Sequence, residues 1–110
     1  MIVAGRSLKL RQGHNDTDIA VRIFAPQSDQ DGWSCKYEIE WPEGKREGAA
    51  VGFDSVQALL LALTMVGAEI YTSDYHKSGD LMWTGPHQGY GFPVSQNLRD
   101  LLEGHDTKFL

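Results

Sequence analysis

The chain has 110 residues, 41% hydrophobic and 23% charged, with ten basic and fifteen acidic side chains for a net charge of −5. That length and ordinary composition fit a single domain spanning 1–110 and argue against disorder. The acidic balance, with Lys45-Arg46 as the nearest approach to a basic block, argues against a nucleic-acid partner.

In chain order, the N-terminal stretch MIVAGRSLKLRQG has no basic region ahead of an apolar one, and Arg6, Lys9 and Arg11 interrupt it. It is read as part of the fold and not as a secretory leader. Residues Ile2 to Leu10 predict a first strand with Ile2, Ala4, Leu8 and Leu10 on one side, although Arg6 breaks the pattern. Ile19, Val21, Ile23 and Ala25 alternate with Asp18, Ala20 and Arg22 until Pro26 stops a second strand. The firmest strand is GWSCKYEIEW, where Trp33, Cys35, Tyr37, Ile39 and Trp41 alternate with Ser34, Lys36, Glu38 and Glu40. The loop PQSDQDG joins the two as a hairpin. It has calcium-loop spacing if Gln27 counts as its first position, with Asp29, Asp31, Gly32 and Glu38 following in register. Gln27 replaces the first carboxylate, and strands flank the loop where helices are needed, so a polar hairpin is expected. Pro42 and Gly44 turn the chain into a fourth strand, about Arg46 to Gly52.

The period then changes. In FDSVQALLLALTMVG, Asp54 stands at a cap position with Gln57 three residues on, so each side chain is expected to bond the other's backbone N–H. Val56, Leu59, Leu60, Leu63, Val66 and Ile70 recur at helical spacing, and Leu61 and Ala62 widen the stripe. Gly67 is unfavourable inside a helix. The helix either ends there or runs to about Thr72, and Ile70 and Tyr71 favour the longer form. Its apolar stretch is too short to span a membrane. Ser78 to Asp80 make a turn, LMWT a short strand, and Ser95 caps a final short helix with Leu98, Leu101 and Leu102 on its face and Gly104 as its stop. The fold class is α+β: an antiparallel four- to five-stranded meander sheet, one long helix on one face and a short C-terminal helix.

The four histidines, His14, His76, His87 and His105, are scattered. Asp74 and His76 share one side of an extended segment, but a closed metal site needs about four ligands. No metal, cofactor or catalytic residue is assigned. Cys35, on the aromatic face of its strand, reads as a buried small hydrophobe with a raised pKa. One cysteine fits a reducing, cytoplasmic setting. Glu38 and Glu40 read as solvated. The stretch PHQGYGFP is the most site-like. With His76 and Trp83 it offers a ligand pocket in which Gly89 and Gly91 admit a ligand, Tyr90 stacks, and His87 or Gln88 hydrogen-bonds. The simpler reading is a turn whose Tyr90 and Phe92 cover the core, and it is preferred.

WSCKYEIE, then VGFDSVQALLLAL, then LMWTG and GYGFP together resemble a family of small bacterial proteins of unknown function. Its pattern is a Trp-containing strand, a G-x-D-x-x-Q-A-L-x-L-A-L helix and a late G-F-P. The resemblance covers about residues 33 to 93 and implies a bacterial source, a stand-alone domain and no named activity. The expected function is binding of another protein, in the manner of immunity or antitoxin-like partners, or of a second copy of itself as a homodimer. The alternative is a small-molecule binder or enzyme with a pocket near residues 76–92.

Overall fold

A computed structural model describes residues 1–110. The first two strands, β1 (Ile2–Gln12) and β2 (Asn15–Phe24), form a hairpin that turns through Gly13 and His14. Both run further than the apolar alternation predicts. Ion pairs Lys9–Asp18 and Arg11–Asp16, each 2.9 Å, carry the ladder outward where apolar side chains have run out. A short β3 (Gln27–Asp29) leads through the Gln30-Asp31 turn into β4 (Gly32–Trp41), and the Asp31 N–H donates to Asp29 Oδ1 at 2.8 Å. The calcium-like spacing is therefore a hairpin turn. A last long strand, β5 (Gly44–Gly52), pairs with β4 along its whole length.

All pairings are antiparallel, and β1, β2, β4 and β5 lie side by side as a meander. A two-residue β6 (Leu81–Met82) closes the far edge against β1. Between Ile23, opposite Tyr37, and Gln27, opposite Ser34, one residue is extra on the Pro26 side. Pro26 sits in that bulge because it has no N–H for the ladder. A second irregularity falls between Ile2 and Ala4, so Ile2 leaves the alternation that the sequence assigned to it.

One face of the sheet is a lattice of charge, with Arg22 between Glu38 and Glu40 and Lys45 between Glu38 and Glu47. The other face carries Leu8, Leu10, Ile19, Val21, Ile23, Cys35, Tyr37 and Ile39, all buried. Helix α1 (Ser55–Tyr71) packs there, against β4 and β5. Asp54 accepts the Gln57 N–H at 2.8 Å as predicted, while Gln57 Oε1 reaches one residue further back than expected, to the Phe53 N–H. The helix passes Gly67 and ends at Tyr71, with Thr72 as its cap.

The buried row of α1 differs from the one that its large side chains predict. Ala58, Ala62, Val66 and Ile70 are fully buried, whereas Val56, Leu60, Leu61 and Met65 are exposed. Small residues face the sheet because the backbones meet closely: a Cβ on Gly52 would strike the Ala58 amide. Gly67 has a similar cause. The Pro93 carbonyl crosses the helix at that point and occupies the space of any side chain.

After α1 come a one-turn helix α2 (Asp74–Lys77), β6, a 3-10 turn over Gln96–Leu101 and a one-turn α3 (Asp106–Phe109). Asp74 and His76 thus lie on a helical turn, not on an extended segment. The predicted C-terminal helix is split. Ser95 makes no side-chain cap bond and its hydroxyl pairs with Asn97, while Leu102 leaves the turn to enter the core.

Gly67→Ala is expected to lower unfolding free energy by about 2 kcal/mol, because displacing the Pro93 crossing outweighs a helix-propensity gain of about 1 kcal/mol. Urea denaturation followed by circular dichroism checks this.

Candidate functional site

Arg6 spoils the alternation of β1 because it points inward, onto the segment that follows β6. Its guanidinium lies 3.8 Å above the Trp83 ring and 4.8 Å from that of Phe92. It also donates to the carbonyls of Tyr90 and Gly91 at 2.9 and 3.0 Å. A charge at an inward strand position needs such partners, and here they hold residues 90–92 against the sheet.

A second anchor comes from the other end of the same segment. Asp106 is 3% exposed, and its carboxylate accepts the Tyr90 N–H at 2.8 Å, the Gly91 N–H at 2.9 Å and the Tyr71 hydroxyl at 2.5 Å. Gly89 and Gly91 have positive φ, and a Cβ on Gly89 would collide with that carboxylate. The glycines of PHQGYGFP do admit a group against the backbone, and that group is the protein's own Asp106. On the other side, a Cβ on Gly91 would meet Trp83 and Arg6.

Around Tyr90 the titratable groups converge. His76 Nδ1 is 2.5 Å from the Tyr90 hydroxyl, and His76 Nε2 is 3.6 Å from Glu103 Oε1. The other Glu103 oxygen is 3.6 Å from His87 Nδ1. With its proton on Nε2, toward the carboxylate, His76 accepts the Tyr90 hydroxyl proton at Nδ1; with the proton on Nδ1 the ring donates and that hydroxyl turns to the Leu81 carbonyl at 3.3 Å. The rings of Tyr71, His76 and Tyr90 meet edge to face. Burial lowers the His76 pKa, with Glu103 opposing and His87 reinforcing the shift. Burial raises the hydroxyl pKa of Tyr71 and Tyr90 well above the usual phenol value.

Carboxylate, imidazole and hydroxyl therefore stand in the order of a catalytic triad, Glu103–His76–Tyr90. The environment works against that chemistry, since a hydroxyl pushed away from its anion, on a residue 3% exposed, is a poor nucleophile. Of the five residues that the sequence grouped, Tyr90 and His76 are in contact. Trp83 lies apart on the Arg6 side. His87, at φ 60°, reaches Glu103 from an exposed position, and Gln88 uses its backbone carbonyl to accept the His105 N–H at 3.1 Å. None of the five lines any of the four surface cavities.

The cavities lie elsewhere. The largest, about 420 Å³, is flanked by the stacked pair Trp41–Tyr75 and by Glu43, Glu69 and Asp74. A second, of about 320 Å³, opens on the charged face beside Phe24, Lys36 and Glu47. The most apolar is a groove of about 190 Å³ between α1 and residues 91–93. Ala4, Val21, Ile23, Leu63 and Phe92 are its apolar lining. Val56, Leu60 and Leu63 follow one another at i, i+4 and i+7, so one row of α1 runs beside it.

Fold and site define an α+β domain in which one helix and an irregular strap cover one face of an antiparallel sheet. Its buried polar cluster holds that strap in place. The chain belongs to the family described as a domain of unknown function, DUF6968, whose model matches residues 4–94. No curated protein and no solved structure matches it. Asp106, Glu103, Tyr71 and Arg6 were absent from the sequence-derived site. Only Arg6 left a signal, as a charge on the apolar side of a strand.

Asp106→Asn replaces one accepting oxygen by a donor facing another donor and is expected to cost about 2–3 kcal/mol of stability, read from urea denaturation. The depressed His76 pKa carries a pH effect. Below the ordinary imidazole value of 6.5 the unfolded chain takes up a proton that the folded imidazole resists, so stability falls as pH drops through 6.5 and levels off below the folded pKa. In His76→Gln the urea midpoint is expected to fall less steeply over that window.

Proposed function

We propose that this is a bacterial, cytoplasmic, non-catalytic domain that acts by binding another protein at the groove between α1 and residues 91–93. The observation that carries the reading is the exposed apolar row beside that groove. Val56 is 62% and Leu60 57% exposed. A satisfied helix would turn such residues inward. Contiguous exposed apolar surface on a folded chain marks an interaction site.

The size of the groove favours a protein over a small molecule. Ligand sites are typically ~300–1,000 Å³, whereas about 190 Å³ suits one anchoring side chain of a partner. Its single charge, Arg6, is already engaged by two carbonyls, which leaves an apolar recess as the recognition element. An immunity or antitoxin-like partner fits by fold-level analogy. The buried Cys35 thiol, whose pKa burial raises, is compatible with a reducing compartment. The rival reading, a ligand or substrate pocket near residues 76–92, has the His76–Tyr90 pair in its favour.

A photo-crosslinking amino acid at Leu60 is expected to trap one discrete protein in cells. The same group at Ser7, on the charged face, is expected not to trap it. Matching adducts from both positions, or none from Leu60, would count against the groove.

A further inference from the structure

The sheet edge formed by β5 is long and uncovered. On the opposite side β6 pairs with Lys9 and Leu10 of β1, and the Arg11 N–H donates to the Asp80 carbonyl at 2.9 Å. From Gly44 to Gly52 the strand ladders only with β4, so its outer N–H and C=O groups lack a protein partner. Exposed edges are ordinarily guarded by charge. Lys45, Arg46 and Glu47 guard the first half, and Gly48-Ala49-Ala50-Val51-Gly52 has no charge at all.

The helix above this edge is equally unguarded. Glu69 reaches down to Arg46 on β5 at 2.8 Å, which fixes the β5 side of α1. Met65 and Leu61, one and two turns earlier, belong to the same row, and both are exposed. This row lies on the opposite flank of α1 from Val56 and Leu60, so it is separate from the groove proposed above.

We propose that a second copy of the chain docks here, its β5 pairing antiparallel with β5 across a two-fold axis. The two sheets become continuous, and the two α1 helices lie side by side. The spacing fits. α1 packs on β4 and β5 in nearly equal measure, so its axis follows the seam between them. With strands about 4.8 Å apart, a two-fold axis at the β5 edge separates the helix axes by two strand spacings, about 9.6 Å. Packed helices stand ~8–10 Å apart. An isolated peptide strand would satisfy the edge and leave Leu61 and Met65 bare, whereas a second copy covers both.

Area and charge agree. Nine strand residues extend about 30 Å, and the shortest dimension of the molecule is 19 Å. The flank is then roughly 600 Å² per copy, or about 1,200 Å² in all, the low end for specific interfaces. A register centred on Gly48 pairs all nine residues and sets the charged half of each strand, Lys45 to Glu47, opposite the neutral half, Ala49 to Val51, of the other. The dimer is therefore reversible and not obligate.

Sedimentation equilibrium of the wild-type chain is expected to show a concentration-dependent dimer. Leu61→Lys with Met65→Lys is expected to raise its dissociation constant at least about tenfold while the circular dichroism spectrum stays unchanged, because both positions are exposed in the monomer. In an otherwise wild-type chain, Ala49→Cys is expected to crosslink between copies with a short bismaleimide, and Thr17→Cys, at the far hairpin, is not. A wild-type chain that is monomeric throughout overturns the proposal and leaves the Leu60 crosslinking result untouched. A dimer indifferent to the lysines, or one that crosslinks equally at Thr17, overturns it too.

Discussion

An α-helix with its side chains is about 10 Å across, whereas strands β5, β4, β2, β1 and β6 extend about 20 Å from the first axis to the last. One helix therefore cannot cover the apolar face of this sheet. α1 takes the β4–β5 half, and the other half needs a second cover from the rest of the chain. Residues 83–110 supply it without a second long helix, since they hold only a 3-10 turn and a one-turn helix. Irregular backbone laid over a core needs partners for its polar groups, and most of the unusual chemistry in this protein answers that need.

Asp106 is the clearest case. Burying a carboxylate is costly unless it is fully hydrogen-bonded, and this one receives two backbone N–H groups and a tyrosine hydroxyl. Arg6 does the reciprocal work from beneath, giving its protons to the carbonyls of the same residues. Strap and sheet are thus joined by an acceptor at one end and a donor at the other. The glycines at 67, 89 and 91 follow from the closeness of that union, because a side chain at any of them would force the strap away. The His76–Tyr90–Glu103 cluster belongs to the same fastening, so a motif that resembles catalytic machinery is explained by the demands of a loop.

The half-cover also leaves a residue of apolar surface. α1 presses its alanines on the sheet and keeps leucines for its two flanks. One flank borders the groove lined by Val21 and Ile23, and the other overhangs the open edge of β5. In a chain with a net charge of −5, these neutral apolar rows on both sides of the main helix are exposed.

Local period and local chemistry alone determined the meander, the strand faces and the Asp54 cap, because alternation and 3.6-residue spacing are properties of neighbours in sequence; whether α1 passes Gly67 was left to the tertiary structure. They also marked PHQGYGFP as a turn with a tight backbone approach. The buried row of the helix was not legible, since hydrophobic size predicts leucines inward whereas the close approach at Gly52 and Gly67 demands alanine. Nor was the polar cluster legible: Asp106 lies 16 residues from Tyr90 and 35 from Tyr71, and Arg6 lies 84 from Tyr90. Those partners meet only because the strap returns across β1 and α1. Which glycine faces a carboxylate, which leucines stay in water and which strand keeps an open edge are outcomes of long-range packing, and tertiary structure alone decided them.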